Sequence, residues 1–514
     1  MRIRQLCVVA ALVVYACGSI FCVFNLRPTN NGAWFANPAV DLMVRYTMGT
    51  PVLESNGSWL TGIGQHTYWT MPLYTFVEVP WYGMFGFSLV TQRLLTVVFG
   101  GIVLWCLYLL VKKLSTPWAA TIALMLLCCD FEFIRLSADA RMDMMCAALG
   151  LAALAIYVHL RETRLRSAVL LANAAAAGSC MTHPCGFLPL TGLWFLMFYL
   201  DRRRLRLADL AVGATPYVVV LALWGAYISR APAEFMAQMR GNGNGVQADI
   251  GGRSRFGDLS NPLKAFSAEI HIRYFASYHS HMVPICYFIG LAAIVYLAWR
   301  TRQKDHVIFA VLGVLYFFEL MLLDGLKSPM YLDQPLPILA AAVAIALCSV
   351  KLRSRLRTGI VIGLAVGLML GRQALTFYHF GNDAEGSRAY FAAADLVAAN
   401  HARGEEVIAS SELAYKLGLY NGVDEDWRIG YTTGKKPEFI VLGRLGRAWL
   451  KQHKNDSPDF SRFVDNRLNQ EYVTALENKS YTVYVRRDLA GSLNRPSEQG
   501  WTVARAIWEL RPQT

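Results

Sequence analysis

Long apolar runs, broken by short basic turns and by a few longer polar stretches, set the pattern of this chain. They fall near residues 5–25, 92–111, 118–136, 142–158, 167–183, 187–200, 208–228, 282–299, 307–323, 334–350 and 358–377. Most approach the ~20 residues that carry an α-helix across a bilayer. The pattern therefore predicts an α-helical polytopic membrane protein with about eleven transmembrane helices. Met1-Arg-Ile-Arg4 and the apolar run to Phe24 resemble a signal peptide. The run lacks a small-x-small cleavage site, so it reads as an uncleaved first helix with the N-terminus inside.

Basic clusters orient these helices. Lys112 and Lys113, then Arg161, Arg164 and Arg166, then Arg202, Arg203, Arg204 and Arg206, then Arg300, Arg302 and Lys304, then Lys351, Arg353, Arg355 and Arg357 mark cytoplasmic turns. The remaining polar material then collects outside: residues 26–91, the turns around 135–143, 182–186 and 324–333, the loop 229–281, and the tail. Residues 68–87 are apolar but interrupted by Pro72 and Pro80. A full span there would place Lys112 and Lys113 outside, so the segment is expected to be interfacial or re-entrant.

From residue 380 the composition changes. An amphipathic helix is expected over 383–401, with short buried strands at Val407–Ser410 and Phe439–Leu442 and an alternating strand at Tyr481–Val485. This divides the chain into a transmembrane domain, 1–379, and a small extracytoplasmic α/β domain, 380–514. Composition agrees with the membrane class: 55% hydrophobic and 17% charged residues, with mean hydropathy +0.33. The net charge of +13 sits largely in the basic turns, so nucleic acid is not an expected partner. The 11 cysteines lie mostly in apolar segments without zinc-ligand spacing. A Cys180–Cys185 disulfide is the minor alternative there.

The candidate chemistry centres on Asn37-Pro-Ala-Val-Asp41-Leu-Met-Val-Arg45-Tyr46. Asn37 and Pro38 read as a helix start, and Asp41 and Arg45 share a face at i, i+4. The plain alternative is a surface ion pair that orders a turn. Asp143, at the mouth of a span beside Arg141, is a second candidate, because an ionisable group there costs several kcal/mol unless partnered or used. Its alternative is a salt bridge with Arg141 or Arg135. His66 and His183 rank behind them. Arg253, Arg255, His271 and Arg273 in the long loop are candidates for contact with an anionic acceptor or lipid headgroups.

These motifs, in order, carry a resemblance. An outer-loop aspartate precedes Arg-Tyr; then come Tyr68-Trp-Thr-Met-Pro-Leu-Tyr74, Gln92-Arg-Leu, and Ile134-Arg-Leu-Ser-Ala-Asp-Ala-Arg-Met-Asp143. The chain resembles the polytopic C-type (GT-C) glycosyltransferases over about residues 1–380. It is similar in particular to the branch related to protein O-mannosyltransferases and the lipid A aminoarabinose transferase. The resemblance implies an inverting transferase that moves a sugar from a polyprenyl-phosphate carrier to a lipid, glycan or protein acceptor at the outer face of the bacterial inner membrane. It assigns catalysis to Asp41 and Asp143. Substrate contact falls to Arg45, Tyr46, Tyr68, Trp69, Arg141, His183, Lys327 and Tyr331, with Lys327 in Lys-Ser-Pro-Met-Tyr331 facing the donor phosphate. Leu42 stands where a second adjacent acid is common. No cofactor is implied with certainty, and a divalent cation fits the same chemistry. A lipid or polysaccharide transporter and a polymerase or ligase of lipid-linked glycans are the alternatives. A transporter would show internal repeats and mid-span charges, and this sequence collects its polar residues on one side.

Overall fold

The computed structural model describes residues 2–54, 60–244, 261–349, 355–382, 385–401, 407–419 and 422–494. Every expected span lies on a helix. The spans are α1 (Arg2–Asn25), α4 (Leu89–Leu114), α5 (Pro117–Cys128) with α6 (Phe131–Ser137), α7 (Asp143–Leu160), α8 (Leu165–Cys180), α9 (Phe187–Asp201), α10 (Leu207–Ile228), α13 (Met282–Thr301), α14 (Lys304–Leu323), α15 (Pro335–Ser349) and α16 (Arg355–Asn382). Among the described residues, six helices are long and apolar enough to cross a membrane, namely α1, α4, α7, α10, α13 and α14; α5 and α15 are shorter apolar helices.

The expected span 118–136 is two helices. Asp130 breaks it: the buried carboxylate caps α6 by accepting from the Phe133 amide at 3.1 Å. It also accepts from Tyr287 (2.8 Å), Tyr278 (3.1 Å) and Gln373 (3.2 Å), so a charge inside the bundle is surrounded by donors.

Two further helices lie between α1 and α4: α2 (Asn30–Arg45) and α3 (Leu73–Phe85). The helix start expected at Asn37 and Pro38 is in fact the middle of α2. Pro38 interrupts its hydrogen-bond ladder, and the buried Asn37 accepts from the Val52 amide at 3.1 Å instead of capping. The 229–281 loop contains α11 (Pro232–Asn244), α12 (Pro262–Ala268) and a π-helical turn, Glu269–Phe275. Arg253 and Arg255 lie outside the described residues. Cys180 and Cys185 are free thiols.

After α17 (Glu385–Asn400) comes a five-stranded mixed sheet of β1 (Val407–Ala409), β2 (Val423–Asp424), β3 (Phe439–Leu442), β4 (Tyr472–Glu477) and β5 (Thr482–Arg486), in the order β2-β1-β3-β5-β4. β1 runs parallel to β2 and β3; β5 is antiparallel to β3 and β4. β2 and β4 are additional to the strands expected from sequence. The segment after α2 joins the sheet region directly, because the Glu425 amide donates to the Val52 carbonyl at 2.8 Å and Leu53 bridges Glu425.

One side chain meets four elements. Gln92, wholly buried near the start of α4, donates to the carbonyls of Gly32 (3.0 Å) and Ala140 (3.4 Å) and accepts from the Tyr415 hydroxyl (2.6 Å). Its neighbour Arg93 donates to the carbonyls of Val23, Leu26 and Arg27, the open end of α1. Gln92→Ala leaves a buried hydroxyl and two carbonyls short of partners and is expected to cost about 3 kcal/mol. Tyr415→Phe is expected to cost about 1 kcal/mol. Thermal unfolding of the single and double variants in detergent checks this, and additive losses would contradict a shared hydrogen bond.

Candidate active site

Asp41 sits in the last turn of α2 with its side chain fully buried. Arg45 Nε donates to Oδ1; Thr47 Oγ1 (2.6 Å) and the Gly49 amide (2.8 Å) donate to Oδ2. Arg45, whose side chain is 43% exposed, also reaches the Gly64 carbonyl at 3.0 Å. Tyr46, the left-handed C-cap with φ 60°, is 85% exposed. Asp41 thus closes the turn that leaves α2. Gly49 is required in that turn: a Cβ there would come within 2.2 Å of the Gly64 carbonyl oxygen.

Tyr68 and Trp69 are packing residues. Tyr68 is buried against His66, Trp224, Tyr227 and Phe235, and its amide donates to Gln238 at 2.8 Å, joining the outer loop to α10 and α11. Trp69 stacks against Trp34 and Phe35 of α2. His66 pairs with Glu234 at 2.9 Å.

A separate polar centre lies at the head of α7. Arg141 Nε donates to Asp143 Oδ2 at 2.8 Å, and its guanidinium lies 5.0 Å from the Phe35 ring centroid. Asp143 Oδ1 is buried, accepts no hydrogen bond, and stands 3.7 Å from His183 Nε2. The other ring nitrogen of His183 accepts from the Cys185 amide at 3.1 Å, which orients the imidazole. The His183 ring lies 5.0 Å from that of Tyr331. Asp41 is six residues, or about 9 Å of helix, beyond Phe35 and belongs to a different pocket of contacts.

Tyr331 leads on to four buried charges. Arg273 Nε donates to Glu269 Oε1 at 2.5 Å and Nη2 to Asp324 Oδ2 at 3.0 Å, and Nη1 donates to the Ser328 carbonyl. Lys327 Nζ donates to the Met321 carbonyl at 2.5 Å and pairs with Glu269 at 3.3 Å. Two cations and two carboxylates cancel within this box. Burial lowers the Lys327 pKa, and Glu269 opposes that shift in part. The expected phosphate cation is therefore turned inward onto the 324–328 turn, with φ 57° at Lys327 itself. Arg273, expected at an accessible loop, is its fully buried core.

Two side chains that sequence reasoning passed over complete the centre. Asp333, 1% exposed, has both carboxylate oxygens buried without a hydrogen bond. Next to it, Gln334 donates to the Asp143 carbonyl at 3.3 Å. Burial and then the charge of Asp143 push the Asp333 pKa well above the usual carboxylate range, with Arg141 opposing. The signal was available: Asp333 opens an apolar span just as Asp143 does. Among the described residues, no group of three or more His, Cys, Asp or Glu side chains gathers in a way that could hold a metal ion.

Residues 72–226 match the family model for dolichyl-phosphate-mannose-protein mannosyltransferases. ArnT from Cupriavidus metallidurans, in its crystal structure bound to undecaprenyl phosphate, matches with a TM-score of 0.61 at 14% identity, over 93% of this chain and 97% of that one. The chain shares the fold of this ArnT. The apo form of the same ArnT gives a TM-score of 0.60 at 15% identity, over 95% and 98% of the two chains. The apo Archaeoglobus fulgidus oligosaccharyltransferase gives 0.55 at 11%, over 86% of this chain and 69% of that one. No curated protein sequence matches the chain. The family-matched segment holds Arg141, Asp143 and His183; Asp41, Lys327 and Asp333 lie outside it.

Arg273→Ala is expected to cost about 3–5 kcal/mol, because Glu269 and Asp324 then stay buried without their partner. Adding Glu269→Gln should recover part of that loss. Thermal unfolding in detergent reads both effects, and an Arg273→Ala protein as stable as the parent would show that the box does not hold the 324–328 turn.

Proposed function

We propose that this chain moves a sugar from a polyprenyl-phosphate donor to an envelope lipid, glycan or protein acceptor at the outer face of a bacterial plasma membrane, with inversion at the anomeric carbon. The observation that carries the reading is the buried Arg141–Asp143–His183 centre at the head of α7, inside the family-matched segment of a GT-C fold. A lipid-linked donor is supported by the likeness of the fold to ArnT, whose structure holds undecaprenyl phosphate.

Asp143 serves best as the base. Its Oδ1 is the oxygen without a hydrogen bond, and the Arg141 pair on Oδ2 compensates its charge inside the protein. An acceptor hydroxyl that donates to Oδ1 becomes a stronger nucleophile as its proton moves onto the carboxylate. The oxygen–C1 bond forms as the C1–phosphate oxygen bond breaks, and the lipid phosphate leaves with the electron pair. Asp41 then has a supporting role, since its oxygens already hold the turn at Thr47 and Gly49.

Asp143→Asn should lower sugar transfer in membranes by at least ~10²-fold with the protein still folded. Asp41→Asn should lower the unfolding temperature more than the transfer rate per folded molecule. The opposite result, with Asp41→Asn inactive but stable and Asp143→Asn active, would return the base to Asp41. Mass spectrometry of envelope glycolipids and glycans with and without the protein identifies the sugar and acceptor.

Orientation has its own check. In a cysteine-free background, Glu162→Cys, beside the basic turn after α7, should label only from inside, and Asp459→Cys in the C-terminal region only from outside. External labelling at residue 162 would invert the topology and move the Asp143 centre to the cytoplasmic face.

A further inference from the structure

Among the described residues, Asp143, Glu78 and Glu412 each keep one buried carboxylate oxygen without a hydrogen bond, and Asp333 keeps two. Asp130 is surrounded by four donors, Asp41 by three, and Asp324 and Glu269 by Arg273. Asp143 has Arg141 on one oxygen. Asp333 has both oxygens buried and neither in a hydrogen bond of good geometry, although the side-chain and backbone N–H groups of Gln334 lie close enough to stabilise the carboxylate weakly, and it ends the 3₁₀ turn Pro329–Asp333 that packs against α6 and α7. Gln334, the adjacent amide, is engaged with the Asp143 backbone. An unsatisfied buried acceptor costs ~1–3 kcal/mol, and more if charged, so a fold that keeps one beside its reaction centre retains a cost that a ligand can remove.

From this geometry we infer that Asp333 is the sugar-recognition group of the donor site, and that its carboxyl exchanges hydrogen bonds with ring hydroxyls of the sugar on the lipid phosphate. The inference rests on the polyprenyl-phosphate reading given above. The flanking groups suit such a ligand. Tyr331, two residues before Asp333 in the same turn, supplies a ring for the apolar side of a pyranose, and Asp143 stands next to the position where the acceptor must meet the anomeric carbon. The carboxyl's raised pKa allows it to act as donor and acceptor together, which an ionised group could not do. It also spares the site a second full negative charge near the phosphate.

The test measures binding of two kinds of probe to the full-length protein in nanodiscs: sugar-free undecaprenyl phosphate, and undecaprenyl phosphate carrying a hexose, a pentose or an aminopentose. The quantity read is the affinity for the best sugar-bearing lipid divided by the affinity for the sugar-free lipid. Asp333→Leu should cut this ratio by roughly ten- to a hundredfold while leaving sugar-free binding within about twofold. Asp333→Asn, which keeps a donor and an acceptor, should retain most of the ratio but reorder the sugars. An unchanged ratio in Asp333→Leu, or an equal weakening of both kinds of lipid, would overturn the assignment. Should Asp333→Leu not fold, Asp333→Asn decides alone, and an unaltered ranking of sugars would count against the inference. A wild-type protein that binds no undecaprenyl phosphate would instead remove the donor class on which the inference stands, and that result is distinct from a lost sugar preference.

Discussion

The arrangement at the head of α7 depends on one buried amide. Gln92 holds the backbone of α2 at Gly32, the turn before α7 at Ala140, and the C-terminal region through Tyr415. Gly32 allows this approach, since a Cβ there would lie 2.8 Å from the Tyr415 hydroxyl. An amide suits the position because it offers donors to two carbonyls and an acceptor to a hydroxyl. With Arg93 closing the end of α1, two consecutive residues fix the entry to α2, the head of α7 and the C-terminal region relative to one helix.

Charge compensation organises what those elements present. Inside the bundle an uncompensated charge costs several kcal/mol, so polar groups gather in closed sets such as the Arg273–Glu269–Asp324–Lys327 box and the Asp130 cap with its two tyrosines. The box spends its cations internally and so shapes the turn that leads to Tyr331 and Asp333. The Arg141–Asp143 pair is incomplete, with one oxygen left over. The asymmetry between closed and open sets, rather than the number of charges, distinguishes the centre at the head of α7 from the other polar clusters.

The apolar helices were legible because hydrophobic length is a one-dimensional signal, and every expected span falls on a helix. The break at Asp130 was not, because it needs Tyr278, Tyr287 and Gln373 from distant helices. The same limit applies at the site. Asp143, Arg141, His183 and Tyr331 were all named from sequence and are brought together, whereas Asp41 and Lys327 were named for the same reason and are turned to internal partners. Local sequence marks a carboxylate at a membrane boundary; it does not say whether a hydroxyl six residues away or a backbone amide eight residues away will occupy it. Asp333 met the boundary criterion as well as Asp143 did and was overlooked because no motif contained it. The short strands β2 and β4 gave little periodic signal, and their place in the sheet comes from pairing with β1 and β5.

Besides the Gln92 link, the C-terminal region bears on the centre through one turn of α2. Trp34 donates its indole N–H at 2.7 Å to Glu425, which also accepts from Asn30, Ser411 and Trp427. The next residue, Phe35, presents its ring to the Arg141 guanidinium. Adjacent positions on a helix point about 100° apart, so this turn faces the sheet region with one ring and the Arg141–Asp143 pair with the other. Rotating α2 to release Trp34 would also withdraw Phe35. The position of Arg141, and through it the oxygen that Asp143 leaves open, is therefore tied to whether the C-terminal region is seated. A soluble-looking appendage of about a quarter of the chain then acts as part of the wall that fixes the geometry of the membrane-embedded centre.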